Sequence, residues 1–236
     1  MTRRLNRRYI AAWAVHVFTA AGAGLAFLAL TSLVHDNHRL AWMYLGMAFV
    51  IDGADGAMAR RLDVRHVLPH FDGAILDLVV DYLTYVLVPT FFIYQLDLLP
   101  SAILVPGCVF VLVTSLYAFG NLDLKTTDNY FRGFPALWNV VVFHFYVFHT
   151  SPLFNTFVVL VLGLLTFAPV KTLHPVRVAT WRPISLAILL VWSVVAVVLV
   201  LTHPNPPSFI SALLLAGTAY FVAFSLWRSF LADSAD

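Results

Sequence analysis

Apolar runs of bilayer length follow one another along this chain, and that spacing constrains its fold more than any other feature. A membrane-spanning helix needs about 17–25 mainly apolar residues. Ala11–Val34, Leu40–Ala59, Gly73–Leu96, Ser101–Phe119, Ile184–Thr202 and Ser208–Leu231 meet that demand. Trp138–His149 and Leu153–Val170 read as two further helices joined by a tight turn, because Pro152 suits the start of a new helix. The expected fold class is an all-α polytopic membrane protein with eight transmembrane helices. Composition agrees: 61% of residues are hydrophobic and 11% charged, too little polar surface to cover a soluble domain of this size.

The basic residues orient the layout. With the N-terminus in the cytoplasm, Arg3, Arg4, Arg7, Arg8, Arg60, Arg61, Arg65, Lys125, Arg132, Lys171, Arg177, Arg182 and Arg228 all fall on the inner side, and only Arg39 falls outside. So one-sided a distribution predicts both termini in the cytoplasm. Residues 1–236 read as one integral-membrane domain. Residues 1–9 form a basic cytoplasmic segment suited to anionic headgroups, and the first span is expected to be retained rather than cleaved as a signal peptide. The lone cysteine, Cys108, sits in an apolar run and reads as a small buried hydrophobe.

Against this background, Asp52, Asp55, Asp77 and Asp81 stand out. An aspartate at the centre of a membrane helix costs about 2.5–3.5 kcal/mol, and such residues face a cavity or a partner. Asp52, Asp55, Gly56 and Ala59 share one helical face, as do Gly73, Asp77, Asp81 and Tyr85. The two helices run antiparallel. At 1.5 Å per residue, Asp52 is ~12 Å from Arg60 and Asp81 is ~12 Å from Gly73. Asp52 is therefore level with Asp81, and Asp55 with Asp77, in a box of four carboxylates near the cytoplasmic surface. Divalent cations relieve the repulsion in such a box. Oxygen-only ligands suit Mg²⁺ or Mn²⁺ rather than zinc, and a pair of such ions handles phosphoryl groups. Arg60 lies within reach of a phosphate, while Gly56, Ala59 and Gly73 leave room for a bulky group. Two other readings remain open on these residues: polar side chains that glue helices together, and a cation or proton carrier built on intramembrane aspartates. Gly22, Gly24 and Ala26 of the first span read as close helix packing.

The spacing Asp52-x2-Asp55-Gly56-x2-Ala59-Arg60, a twelve-residue gap, then Gly73-x3-Asp77-x3-Asp81 is similar to the signature of the CDP-alcohol phosphotransferase family. His16-x-Phe18-Thr19-Ala20, Leu76–Asp81 with Thr84-Tyr85-Val86, and Lys125-Thr126-x-Asp128-Asn129-Tyr130-Phe131-x-Gly133-Phe134-Pro135 before Trp138-Asn139 extend the likeness to the choline-using bacterial branch of that family. This resemblance implies transfer of a phosphatidyl group from CDP-diacylglycerol to choline, with CMP released and Mn²⁺ or Mg²⁺ required, as two ions. It implies an enzyme of the bacterial inner membrane, working as a homodimer with its active site facing the cytoplasm. It further implies that Asp52, Asp55 and Asp77 hold the metals, that Asp81 completes the site and acts as general base, and that Asp52, Gly56, Ala59, Arg60 and Gly73 meet the cytidine nucleotide. Other acceptors, such as inositol, glycerol phosphate or serine, stay within the same family. Asp72, just before Gly73, departs from the pattern and reads as a solvated loop residue.

Choline presents a quaternary ammonium, which aromatic faces recognise. Tyr85, Tyr117 and Trp138 are the expected contacts. Lys125 and Arg132 are placed to meet the phosphates of the donor, and His16 to line the cavity.

Overall fold

The computed structural model describes residues 2–121, 130–173, 175, 178 and 180–230; Lys125 and Arg177 lie outside these. Helix α1 (Thr2–Val34) runs without a break from the basic N-terminal segment into the first span. Asn37, whose side chain accepts from the Leu40 backbone N–H, caps α2 (His38–Arg61). A short turn of helix, α3 (Val64–Val67), leads to α4 (Gly73–Asp81). A π-helical turn over Tyr82–Leu87 follows directly, and α5 (Val88–Gln95) continues the same rod. Pro89 explains the widened turn: without an N–H it cannot close the regular ladder. Then come α6 (Leu104–Gly120), α7 (Trp138–Phe148), α8 (Pro152–Leu165), α9 (Arg182–Thr202) and α10 (Ser208–Phe230).

Among the described residues, five helices are long and apolar enough to cross a membrane: Arg7–Val34, Gly73–Gln95, Ser101–Gly120, Arg182–Thr202 and Ser208–Phe230. This is an all-α membrane protein in its described helices. Helix α2 has the length of a span, but its aspartates and arginines lower its hydropathy. Helix α8 ends at Leu165, short of the expected Val170, and α7 is only 11 residues long, about 16 Å against a ~30 Å hydrocarbon core. Irregular backbone precedes α7, and Tyr130, Phe134 and Ala136 within it are buried in protein, which is where non-helical chain is tolerated at membrane depth.

One feature has no counterpart in the periodicity of the sequence. Phe131–Arg132 pairs antiparallel with Lys171–Thr172. Ser225 and Ser229 of α10 tie this ladder down by accepting from the backbone N–H groups of Leu173 and Lys171. Gly133 closes the same corner with φ +76°, where a Cβ would come within 2.6 Å of the Thr166 carbonyl oxygen. Such a conformation suits glycine alone.

Helix α1 lies along α2 and crosses α4. At that crossing Gly22 meets Val80, where a Cβ would approach the valine methyl to 2.5 Å. Ala26 is buried, but Gly24 faces open space, so the close-packing expectation holds for two of the three small residues. The central core is aromatic: Trp42 stacks on Phe92 at 4.2 Å and meets Phe143 edge-on at 5.1 Å. Polar pairs bind the later helices, with Thr218 of α10 holding both His144 of α7 (2.9 Å) and Trp192 of α9 (3.0 Å).

Candidate functional site

Asp52 and Asp55 lie in the third and second turns from the end of α2, and Asp77 lies one turn into α4. Helical spacing brings each set to one face, and the packing of α1 against both helices brings the faces together. One carboxylate oxygen from each of Asp52, Asp55 and Asp77 lies within 4.8 Å of the others. Asp55 is only 5% exposed. Asp81, one turn beyond Asp77, lies within hydrogen-bonding reach of Asp52 and feels the charges of Asp77 and Asp55. No lysine or arginine pairs with Asp52 or Asp55 among the described residues.

Three carboxylates at this range repel strongly unless cations lie between them, more so where water is partly excluded. The donor set is all oxygen, which fits a hard divalent ion such as Mg²⁺ or Mn²⁺. The residues present therefore fit a metal centre held by Asp52, Asp55 and Asp77.

Two hydroxyls reach into the cluster from other parts of the fold. Thr19 of α1 donates to Asp55 Oδ2 at 2.8 Å. Tyr85, in the π-helical turn, donates to Asp52 Oδ2 at 2.7 Å. Thr19 was carried in the sequence only as a neighbour of His16. Its signal is its place one turn after His16, on a face that also bears Gly22.

The remaining expected site residues are dispersed. Arg60 is exposed at the end of α2, and its guanidinium leans back over Gly56, 3.3 Å from where a Cβ would stand. Ala59 packs instead against the small cluster of Ala12, Val15, Val64 and Leu68. The space beside Gly73 is filled by the imidazole of His16, whose Cε1 is 2.6 Å from the position of a Cβ. His16 is held between Trp13 and Phe71, with ring centroids 5.8 and 4.5 Å away. Its Nε2 is buried and has no hydrogen-bond partner among the described residues. Asp72 is exposed and lies in the loop ahead of α4, as expected. It caps α4, accepting from the N–H groups of Ala74 (2.9 Å) and Ile75 (3.3 Å), as an aspartate ahead of an apolar helix commonly does. Arg132 is exposed on the two-stranded ladder opposite Lys171.

Of the three aromatics expected around choline, Tyr85 alone touches the acids. Trp138 is fully buried, its indole N–H donating to Ser115 at 2.8 Å. Tyr117 is 47% exposed and lies against Phe167 at 4.6 Å.

Apolar helices bearing this spaced carboxylate cluster define a class: membrane-embedded transferases of the CDP-alcohol phosphotransferase kind. No family model matches the chain. It is, however, 45% identical over 218 residues to a phosphatidylcholine synthase of Pseudomonas aeruginosa, covering 92% of each chain. It is 44% identical over 187 residues to that of Bradyrhizobium diazoefficiens, covering 79% of this chain and 70% of the relative. It is 39% identical over 210 residues to that of Rhizobium meliloti, covering 88% and 86%. The chain belongs to the phosphatidylcholine synthase family.

Proposed function

We propose that this chain transfers the phosphatidyl group of CDP-diacylglycerol to choline, forming phosphatidylcholine and releasing CMP. The observation that carries the reading is the convergence of Asp52, Asp55 and Asp77 within 4.8 Å, in a chain whose relatives bear that enzyme's name.

Asp52, Asp55 and Asp77 would hold Mn²⁺ or Mg²⁺, with Asp81 closing the group. Bound there, divalent cations supply positive charge that offsets the charge growing on the diphosphate as CMP leaves. Asp81 takes the proton from choline's hydroxyl as that oxygen attacks the lipid-side phosphorus; the new O–P bond forms as the bond to CMP breaks. Asp81 adjoins Asp52 and Asp77, and that position beside the reacting groups makes it effective. Arg60, over Gly56 at the open end of α2, is placed for a phosphate of the nucleotide. The described spans offer almost no lysine or arginine, which suits a cationic acceptor better than inositol phosphate or glycerol phosphate. The acids also attract the ammonium of choline.

Counting α2, α7 and α8 with the five long helices gives eight crossings. Arg60 and Arg61 end α2, and Arg228 lies in the last turn of α10, in keeping with a site at the cytoplasmic side of the inner membrane. We place the enzyme there, as a homodimer.

Purified protein in lipid nanodiscs tests the reading directly. CMP should appear only when CDP-diacylglycerol, choline and Mn²⁺ or Mg²⁺ are all present. Equal CMP release with serine, inositol or glycerol phosphate in place of choline would refute the choline assignment, and release that survives metal chelation would refute the metal centre.

A further inference from the structure

The aspartates are not held by their own helices alone. Thr19 and Tyr85 come from different elements, α1 and the π-helical turn, and each sets its hydroxyl on one oxygen of one acid, Asp55 at 2.8 Å and Asp52 at 2.7 Å; the Val15 carbonyl, 3.3 Å from the Thr19 hydroxyl, is the longer of that group's two contacts. Both are buried, at 5% and 7% exposure, so bulk water does not compete for either contact. Both are also fixed from behind. One turn along α1 from Thr19, Gly22 locks that helix against Val80 of α4. Tyr85 meets Phe49 edge-on at 6.4 Å, and the π-helical turn sets its direction.

A carboxylate has two oxygens that can swing about the Cβ–Cγ bond. A hydroxyl that occupies one of them fixes the plane of the group and leaves the other free for a cation. Outer partners of this kind typically contribute 10–100-fold in metal affinity. We propose that Thr19 and Tyr85 are positioning residues for the metal centre, orienting Asp55 and Asp52. This inference rests on the metal reading of the aspartates. It assigns the Tyr85 hydroxyl to the centre rather than to choline.

The test is Mn²⁺ binding to the purified full-length chain without substrates, read as free Mn²⁺ by electron paramagnetic resonance. Tyr85→Phe, which keeps the ring, and Thr19→Val, which keeps the shape, should each weaken Mn²⁺ about 10–100-fold, and Thr19→Ser should restore it. At saturating Mn²⁺ the KM for choline in Tyr85→Phe should match that of the parent. The thermal stabilisation added by Mn²⁺ should shrink in the two deletion variants, while melting without metal stays close to the parent's. Mn²⁺ affinity within twofold of the parent in both variants overturns the proposal. So does an equal drop in melting temperature with and without Mn²⁺, since that marks a purely structural role. Asp55→Asn separates the levels: if it too leaves Mn²⁺ binding intact, the metal reading itself fails; if it abolishes binding while the hydroxyl variants do not, only this inference fails.

Discussion

Replacing Gly73 by alanine tests why a glycine stands at the start of α4. The added Cβ would lie 2.6 Å from His16 Cε1 and 3.2 Å from Nδ1. Carbon atoms rest comfortably at about 3.5–4.0 Å, so α1 and α4 must part by roughly 1 Å, or the imidazole must turn. Trp13 and Phe71 flank the ring and leave it little freedom to do so. Overpacking of this kind costs about 1–3 kcal/mol. At about 2–4 °C per kcal/mol for a chain of this size, the melting temperature should fall by roughly 2–12 °C. Removing the obstruction should undo the effect: in His16→Ala, adding Gly73→Ala should leave the melting temperature within about 2 °C of His16→Ala alone. A double-mutant cycle followed by thermal unfolding in detergent, with CMP release measured in parallel, reads this coupling. If Gly73 serves instead to admit the nucleotide, Gly73→Ala will abolish transfer without changing the melting temperature, and His16→Ala will not rescue it. That result would refute the steric argument.

Asp81→Asn should eliminate CMP release while leaving donor binding within a few-fold of the parent; retained turnover would remove Asp81 as the base. Trp138→Phe should lower stability by about 0.5–3 kcal/mol, because it opens a cavity in the core and removes the indole hydrogen bond to Ser115, whose hydroxyl still donates to the Val111 carbonyl, and should leave the KM for choline unchanged. A raised KM would place that indole at the acceptor after all. At the opposite end of the molecule, burial first, and then the charges of His149, His38 and Arg39, hold His203 below its ordinary pKa. The unfolded chain therefore takes up a proton before the folded one does. Stability should be level above about pH 6.5 and should decline as pH falls below it, with a shallower decline in His203→Gln. An identical pH profile for parent and variant, followed by melting temperature, would contradict this.

Sequence alone determined a great deal here, because a membrane removes most alternatives. Apolar length dictates helices, since no other open structure satisfies its backbone in lipid, and the six strongest runs all appear as helices, five of them within two residues of their expected ends and the first extended nine residues towards the N-terminus, to Thr2. The cost of intramembrane charge singled out the aspartates, and the period of the helix put each pair on one face. What periodicity could not supply was anything that depends on which helices touch. Periodicity already set Tyr85 on the face of Asp77 and Asp81, but Thr19 reaches the acids because α1 crosses α4 at Gly22. Gly73 faces a histidine fifty-seven positions away, and Trp138 spends its N–H on Ser115. The two-residue ladder between Phe131 and Thr172 is too short to leave a pattern. Local spacing encodes a residue's direction on its own rod; only the packing of rods, governed by small residues and side-chain shape distributed over the chain, decides what lies in that direction.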